Sequence, residues 1–220
     1  MRELSSLEAR VLGVLVEKAH TVPDSYPLSL NALVAGCNQK TARDPVIGAT
    51  DAEVQAAADA LKLLSLAIES SGSRVARYEH NMARAMGLPA QAVALLTVLM
   101  LRGPQTSAEL RANSERLHRF ADVSSVDGFL SELSERAPDK GGPLVVKLPR
   151  APGAREARWA HLLCGAVDVS SLAVAPGHDD FVETSELAAL NARQAAMRAE
   201  IDELRALVER LYAELGVSRA

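Results

Sequence analysis

Aromatic residues are scarce in this chain: three Phe, three Tyr and one Trp, 3% of 220 residues. So few rings exclude a core built on aromatic packing. Ala and Leu dominate instead, which favours helices. Cysteine is rarer still. Cys37 and Cys164 are far apart and lack metal-ligand spacing, so they read as two reduced thiols rather than a disulfide framework. Long apolar runs are missing too. Nothing approaches the roughly 18 consecutive apolar residues of a membrane-spanning helix. The start, MRELSSLEAR, has no apolar signal core, so the expected location is the cytoplasm, with no membrane contact.

A large charge excess is also absent. The net charge is −4, and the stretch from Phe181 onward contributes −2, with seven acids against five Lys/Arg. A DNA-binding protein is usually more basic, although local patches matter more than totals. Catalytic constellations are lacking as well. His20, His80, His118, His161 and His178 form no i,i+3 or i,i+4 pair on a helix. His161 and Cys164 make a lone couple, where zinc needs three or four converging ligands. There is no GxSxG and no Gly-rich phosphate loop before a helix. Asp179 and Asp180 fall in a linker and read as solvated. The expectation is a protein that is not an enzyme and uses no metal and no cofactor.

What is present is helical periodicity, with the length for two small cores. Thr50 and Glu53 form a capping box, and Val54, Ala57, Ala58, Leu61 and Leu64 follow as one apolar stripe. Next come the apolar run LSLAIES, a turn at Gly72–Ser73, and RVARYEH with strand alternation. Helix, strand, Gly-containing tip and strand make the second half of a winged helix-turn-helix unit. Upstream, Ser5 and Glu8 box a helix to about His20, with Leu7, Val11, Val14 and Leu15 as its stripe. TVPDSYP reads as a loop, and Ser29 caps a second helix carrying Leu30, Leu33, Val34 and Cys37. NQKTARDPVIG is a polar connector.

The same order returns downstream. Pro89 opens a helix that is apolar nearly all round, so it should be the most buried, and Gly103 stops it. Thr106 and Glu109 box another. Ser124 or Ser125 caps a third, with Val126, Phe129, Leu130 and Leu133. PLVVKLPR and REARWAHLL read as strands around a tip at Ala151–Ala154. The expected fold class is therefore mainly α with small β-hairpin wings. It comprises a winged-helix domain over residues 1–85, a second over 86–165, a linker over 166–182 and a coiled-coil helix over 183–216.

The tail carries a strict heptad. Leu187, Gln194, Ile201, Val208 and Leu215 fall at a; Leu190, Met197, Leu204 and Leu211 fall at d. β-Branched residues at a with Leu at d suit a parallel two-stranded coil, and Gln194 at a can fix its register. Glu200 would face Arg205 of a second copy, while Arg193 would face Arg198. The expected partner is a second copy of the chain, giving a homodimer through this helix. The alternative is one amphipathic helix folded back on its own domains.

Several of these stretches resemble the YceH family of bacterial proteins. They are LEARVLGVLVEKAHTVPDSYPLSLNALVAGCNQKTARDPV, GSRVARYEHN, LRGPQTSAELRANSERLHRFAD and PLVVKLPRAPGAREARWAHLL, which together cover most of Leu7–Leu163. The resemblance implies tandem winged-helix domains and a helical tail, and implies no activity. Ala42 stands in NQKTARDP where the family pattern has Asn.

Two readings of function follow. In the first, double-stranded DNA is bound through phosphates, led by the wings. The candidate contacts are Lys40 and Arg43 in the connector and Arg74 and Arg77 on the first wing. In the second unit they are Arg111, Arg116 and Arg119, with Lys147, Arg150, Arg155 and Arg158 on its wing. Phosphate contacts position a protein without reading sequence. In the second reading the same units dock on a protein partner, and these arginines salt-bridge an acidic surface or simply face solvent. The helices expected in the groove favour the second reading. The first carries Asp51, Glu53 and Asp59 against Lys62, and the second carries Asp127, Glu132 and Glu135 against Arg136. Phosphates repel both, and acids forfeit counterion release. Tyr78 and Trp159 occupy matching places on the two wings. They read as anchors of wing to helix, with base stacking as the alternative.

Overall fold

The computed structural model of the chain describes residues 2–70, 75–151 and 153–167. These form a mainly α structure with small antiparallel hairpins, in which the order helix, helix, helix, hairpin occurs twice. The first pass comprises α1 (Ser6–Thr21), β1 (Leu28–Ser29), α2 (Leu30–Cys37), α3 (Asp51–Leu63), β2 (Ala67–Ser70) and β3 (Arg77–His80). A short helix, α4 (Met82–Met86), leads to the second pass. That pass comprises α5 (Ala90–Arg102), α6 (Ser107–Asn113), α7 (Val123–Ser134), β4 (Val145–Lys147) and β5 (Trp159–His161).

The helix starts follow from local chemistry. Ser5, Thr50 and Thr106 each accept the N–H of the residue three positions on, and Glu8, Glu53 and Glu109 reach back to the cap N–H. Each pair satisfies two orphan donors of a first turn. Ser29 caps α2 through the Ala32 N–H. The cap of α7 differs from expectation. Asp122 takes the Ser125 N–H at 2.7 Å, so the helix begins at Val123 rather than after Ser124 or Ser125. A carboxylate is the stronger acceptor and sits favourably at a helix N-terminus. Pro89 is the cap residue of α5, and the helix proper begins at Ala90.

α1 packs against α2, α3 and α5, which leaves Glu8 to Val16 without a solvent face. α5 is buried from Ala92 to Leu101. Where α1 meets α5, a Cβ on Gly13 would come within 2.9 Å of Leu101 Cδ2. A Cβ on Gly36 of α2 would lie 2.5 Å from Val14 Cγ1. Close helix approach therefore requires glycine at both positions. One continuous core results, running from Leu12 and Leu33 through Leu61 to Leu96, Leu130 and Trp159.

The sheets are small. β3 lies between β1 and β2, with Leu28 opposite Tyr78 and Ala67 opposite His80. β4 pairs with β5, and Gln105 bridges to Trp159 by backbone bonds of 3.1 and 2.7 Å. In both passes, then, the segment between the first two helices joins the hairpin as a third strand. β1 is two residues long, too short to show an alternating pattern, so sequence periodicity misses it. Tyr78 and Trp159 are 2% and 5% exposed and anchor the hairpins, as expected. The Tyr78 hydroxyl donates to Gln55 of α3 at 2.9 Å. The stretch 183–216, expected as a coiled-coil helix, lies outside the described residues. So does the 166–182 linker, apart from residues 166 and 167.

Candidate nucleic-acid interface

The position that reads a groove in a winged-helix unit is the third helix. In the first unit this is α3. Its exposed start carries Asp51 and Glu53, and Glu53 is held charged by the Thr50 backbone and hydroxyl. Its one cation, Lys62, bonds Asp59 at 2.8 Å and also pairs with Glu69 of β2. Leu63 beside it is 88% exposed. This face offers phosphate no free positive charge.

α7 is different. Asp127 turns toward α6 and accepts the Ser107 hydroxyl at 2.5 Å. The exposed residues of its first two turns are Val123, Ser124 and Gly128, with Ser131 following. Glu132 and Glu135 lie toward the other end. Of the acids on the helix itself, only Asp127 lies in its first two turns and it is tied to Ser107, while the exposed Asp122 carboxylate caps its start. Residues 86–165 carry ten Lys/Arg against eight Asp/Glu, while residues 1–85 carry nine against ten.

The candidate cations separate on inspection. Arg116 and Arg119, in the segment between α6 and α7, are exposed and form no ion pair with another described residue. The same holds for Arg150 and Arg155 in the β4–β5 connection and for Lys40 before α3. Arg111 is exposed but donates to Ala121 O at 3.1 Å, which tethers the start of that segment. Arg158 reaches Glu109 at 3.6 Å and Pro104 O at 3.4 Å. Lys147 lies over the Trp159 ring, 5.4 Å from its centroid. Arg77 is exposed and donates to Pro27 O at 2.8 Å. Arg74 lies outside the described residues, as do the seam residues from Leu187 to Leu215.

Arg43 requires correction as a surface contact. Its side chain is 0% exposed, and Nη2 pairs with Glu17 of α1 at 2.6 Å. Nε and Nη1 donate to Gly36 O and Ala42 O. The reason is the helix end beneath it: the guanidinium satisfies a carbonyl near the C-terminus of α2 and fastens the connector to α1. Arg10 is a second buried arginine, 4% exposed, bonding Cys37 O and Pro45 O. Sequence reasoning passed over it. The available signal was a lone Arg inside the apolar run ARVLGVLV. Around this network the Cys37 thiol is pushed up to about 12 by burial, which leaves it unreactive.

The helix order and strand register define a mainly α, winged-helix-like protein. A family described as "Protein of unknown function, DUF480" matches residues 4–154. A UPF0502 protein of Burkholderia pseudomallei (strain 668) is 64% identical over 217 residues, covering 99% of this chain and 91% of its own. Another, from Leptothrix cholodnii, is 62% identical over 220 residues, covering 99% and 97%. The chain belongs to this bacterial family, the one its sequence motifs resemble.

Proposed function

We propose that the protein is a non-enzymatic DNA-binding regulator that grips the phosphate backbone of double-stranded DNA. The carrying observation is that Arg116 and Arg119, in the loop before α7, and Arg150 and Arg155, at the tip of the β4–β5 hairpin, are exposed and form no ion pair with another described residue. Such cations release counterions on binding and position a protein without reading bases. The first unit, with α3 acidic and Lys62 already paired, takes no leading part. Homodimerisation through the heptad from Leu187 to Leu215 would place two such surfaces on one duplex.

The test is fluorescence anisotropy of a labelled random duplex, titrated at several salt concentrations. Binding should weaken steeply with salt. Arg116→Ala with Arg119→Ala should lower the log–log salt slope by about 2 and weaken all sequences alike. An unchanged slope would remove these residues from the contact.

A second reading has its own observation. Of the six exposed large apolar side chains among the described residues, five (Val22, Val46, Leu63, Ile68 and Val75) lie in the first unit, and Val123 opens α7. They suit a protein partner docking there. Absence of DNA binding even at low salt would leave this reading in place of the first.

A further inference from the structure

A surface helix of a soluble protein normally turns polar or charged side chains to water. α3 departs from that rule. Its buried side is Val54, Ala57, Ala58 and Leu61. Ala52, Ala56 and Leu63 stand on the opposite side, at i, i+4 and i+11, and all three are exposed. Leu63 is 88% exposed. A single apolar side chain in water needs no explanation. An apolar line running from the first turn of a helix to its last marks an interaction surface.

The line continues onto the hairpin. An open depression of about 590 Å³ joins the end of α3 to β2 and is lined by Lys62, Ser65, Ala67, Ile68, Glu69 and Asn81. Ile68 is 43% exposed there.

The charges that border this surface are mostly negative. Asp51, Glu53 and Asp59 lie on α3, Glu69 on β2, and Glu79 directly opposite Ile68 on β3. Two described cations stand among them, and both are engaged. Lys62 is held between Asp59, at 2.8 Å, and Glu69. Arg77 donates to Pro27 O at 2.8 Å. An incoming molecule therefore meets apolar side chains inside a negative border. Phosphate is repelled, which sets this face against DNA. Lys and Arg are attracted. The small side chains of Ala52 and Ala56 allow a second helix to approach, since interaxial distance follows the side chains at the contact.

We infer that the solvent face of α3, continued by Ile68, docks an amphipathic helix of a partner protein. The partner helix sets its apolar side against Ala56, Leu63 and Ile68 and carries Lys or Arg along its edges. The inference rests on the second functional reading, in which a protein docks on the first unit, and it names the face and the chemistry of the partner.

The experiment is selection of helical peptides from a random displayed library on the full chain, followed by titration of the best binders by fluorescence anisotropy. The enriched peptides should be amphipathic and net basic, and should bind more weakly as salt is raised. Ala56→Arg and Leu63→Ser should each weaken them at least tenfold. Both side chains are exposed, so the melting temperature should hold. The double variant Val22→Ser with Val46→Ser, on other segments of the first unit, should bind them as before. Peptides lost in that double variant but not in Leu63→Ser overturn the inference and leave the second reading standing. Acidic or uncharged peptides bound at this face overturn the stated chemistry. A mass by light scattering that falls in Leu63→Ser assigns the face to a second copy of the chain and overturns the inference too. No enriched peptide overturns the inference alone, because the second reading also admits a folded partner without a free helix.

Discussion

Single residues in the connector before α3 show how a backbone angle selects a side chain. Ala42 has φ +57°, in the left-handed region where Cβ crowds the backbone. Asn tolerates that region better than Ala. Ala42→Asn should therefore raise stability by about 0.5–1 kcal/mol, read as a higher midpoint in urea; a lowered midpoint would refute the strain. His161 gives a second test. Burial lowers it from 6.5 to about 4. The unfolded chain therefore binds the extra proton first as pH falls. Stability is full above pH 6.5 and declines toward pH 4, by on the order of 3 kcal/mol for a shift of this size. His80 is lowered by burial in the same direction. Most of the loss between pH 6.5 and 4.5 should disappear in His161→Gln, measured by denaturation at each pH. An unaltered profile would show that His161 is not kept neutral. None of these environments was legible in sequence. Arg43 looked like an exposed cation because burial depends on Glu17 and Gly36, 26 and 7 residues away.

At the scale of elements, helices were the most readable and the third strand of each sheet the least. Capping boxes at Ser5, Thr50 and Thr106 mark their own positions, since each involves residues three apart. β1 and the Gln105 bridge became visible only when distant strands paired with them. Helix spacing is the other matter decided here. α2 approaches α1 so closely that a Cβ on Gly36 would stand 2.5 Å from Val14 Cγ1. Val14 is buried and β-branched, so it cannot swing aside. Gly36→Ala should cost about 1–3 kcal/mol through overpacking, seen as a lower melting temperature. Gly128→Ala on exposed α7, where a Cβ meets nothing within 4 Å, should not destabilise. Equal effects at the two sites would argue against the close approach.

Across the whole molecule, the two passes share one core and are tied by their backbones. Leu4 N–H donates to Leu163 O at 2.8 Å, and Asp44 N–H to Leu101 O at 2.8 Å. Arg136 Nη2 donates to Met86 O at 2.6 Å. The charge contrast between the passes is a whole-molecule property too. It directs the proposed DNA contact to the second unit and leaves the apolar surface of the first for other partners. Homodimerisation belongs to this scale. Leu204→Asp places a charge in the proposed seam and should halve the mass found by light scattering, with helical content of the remaining chain retained. An unchanged mass would exclude this seam.

The sequence by itself determined the three main helices of each pass, though not α4 or the cap of α7, the repeated order of helices and hairpin, and the roles of Tyr78 and Trp159 as anchors. All of these depend on neighbours within a few residues or on plain apolar content. Only the tertiary structure decided which charges reach solvent. It buried Arg43 and Arg10, paired Lys62, turned Asp127 toward Ser107, and left Arg116, Arg119, Arg150 and Arg155 exposed. The physical reason is that a charge is compensated by whatever approaches it in space. Those groups come from helices and loops far away in the chain, which no local pattern records.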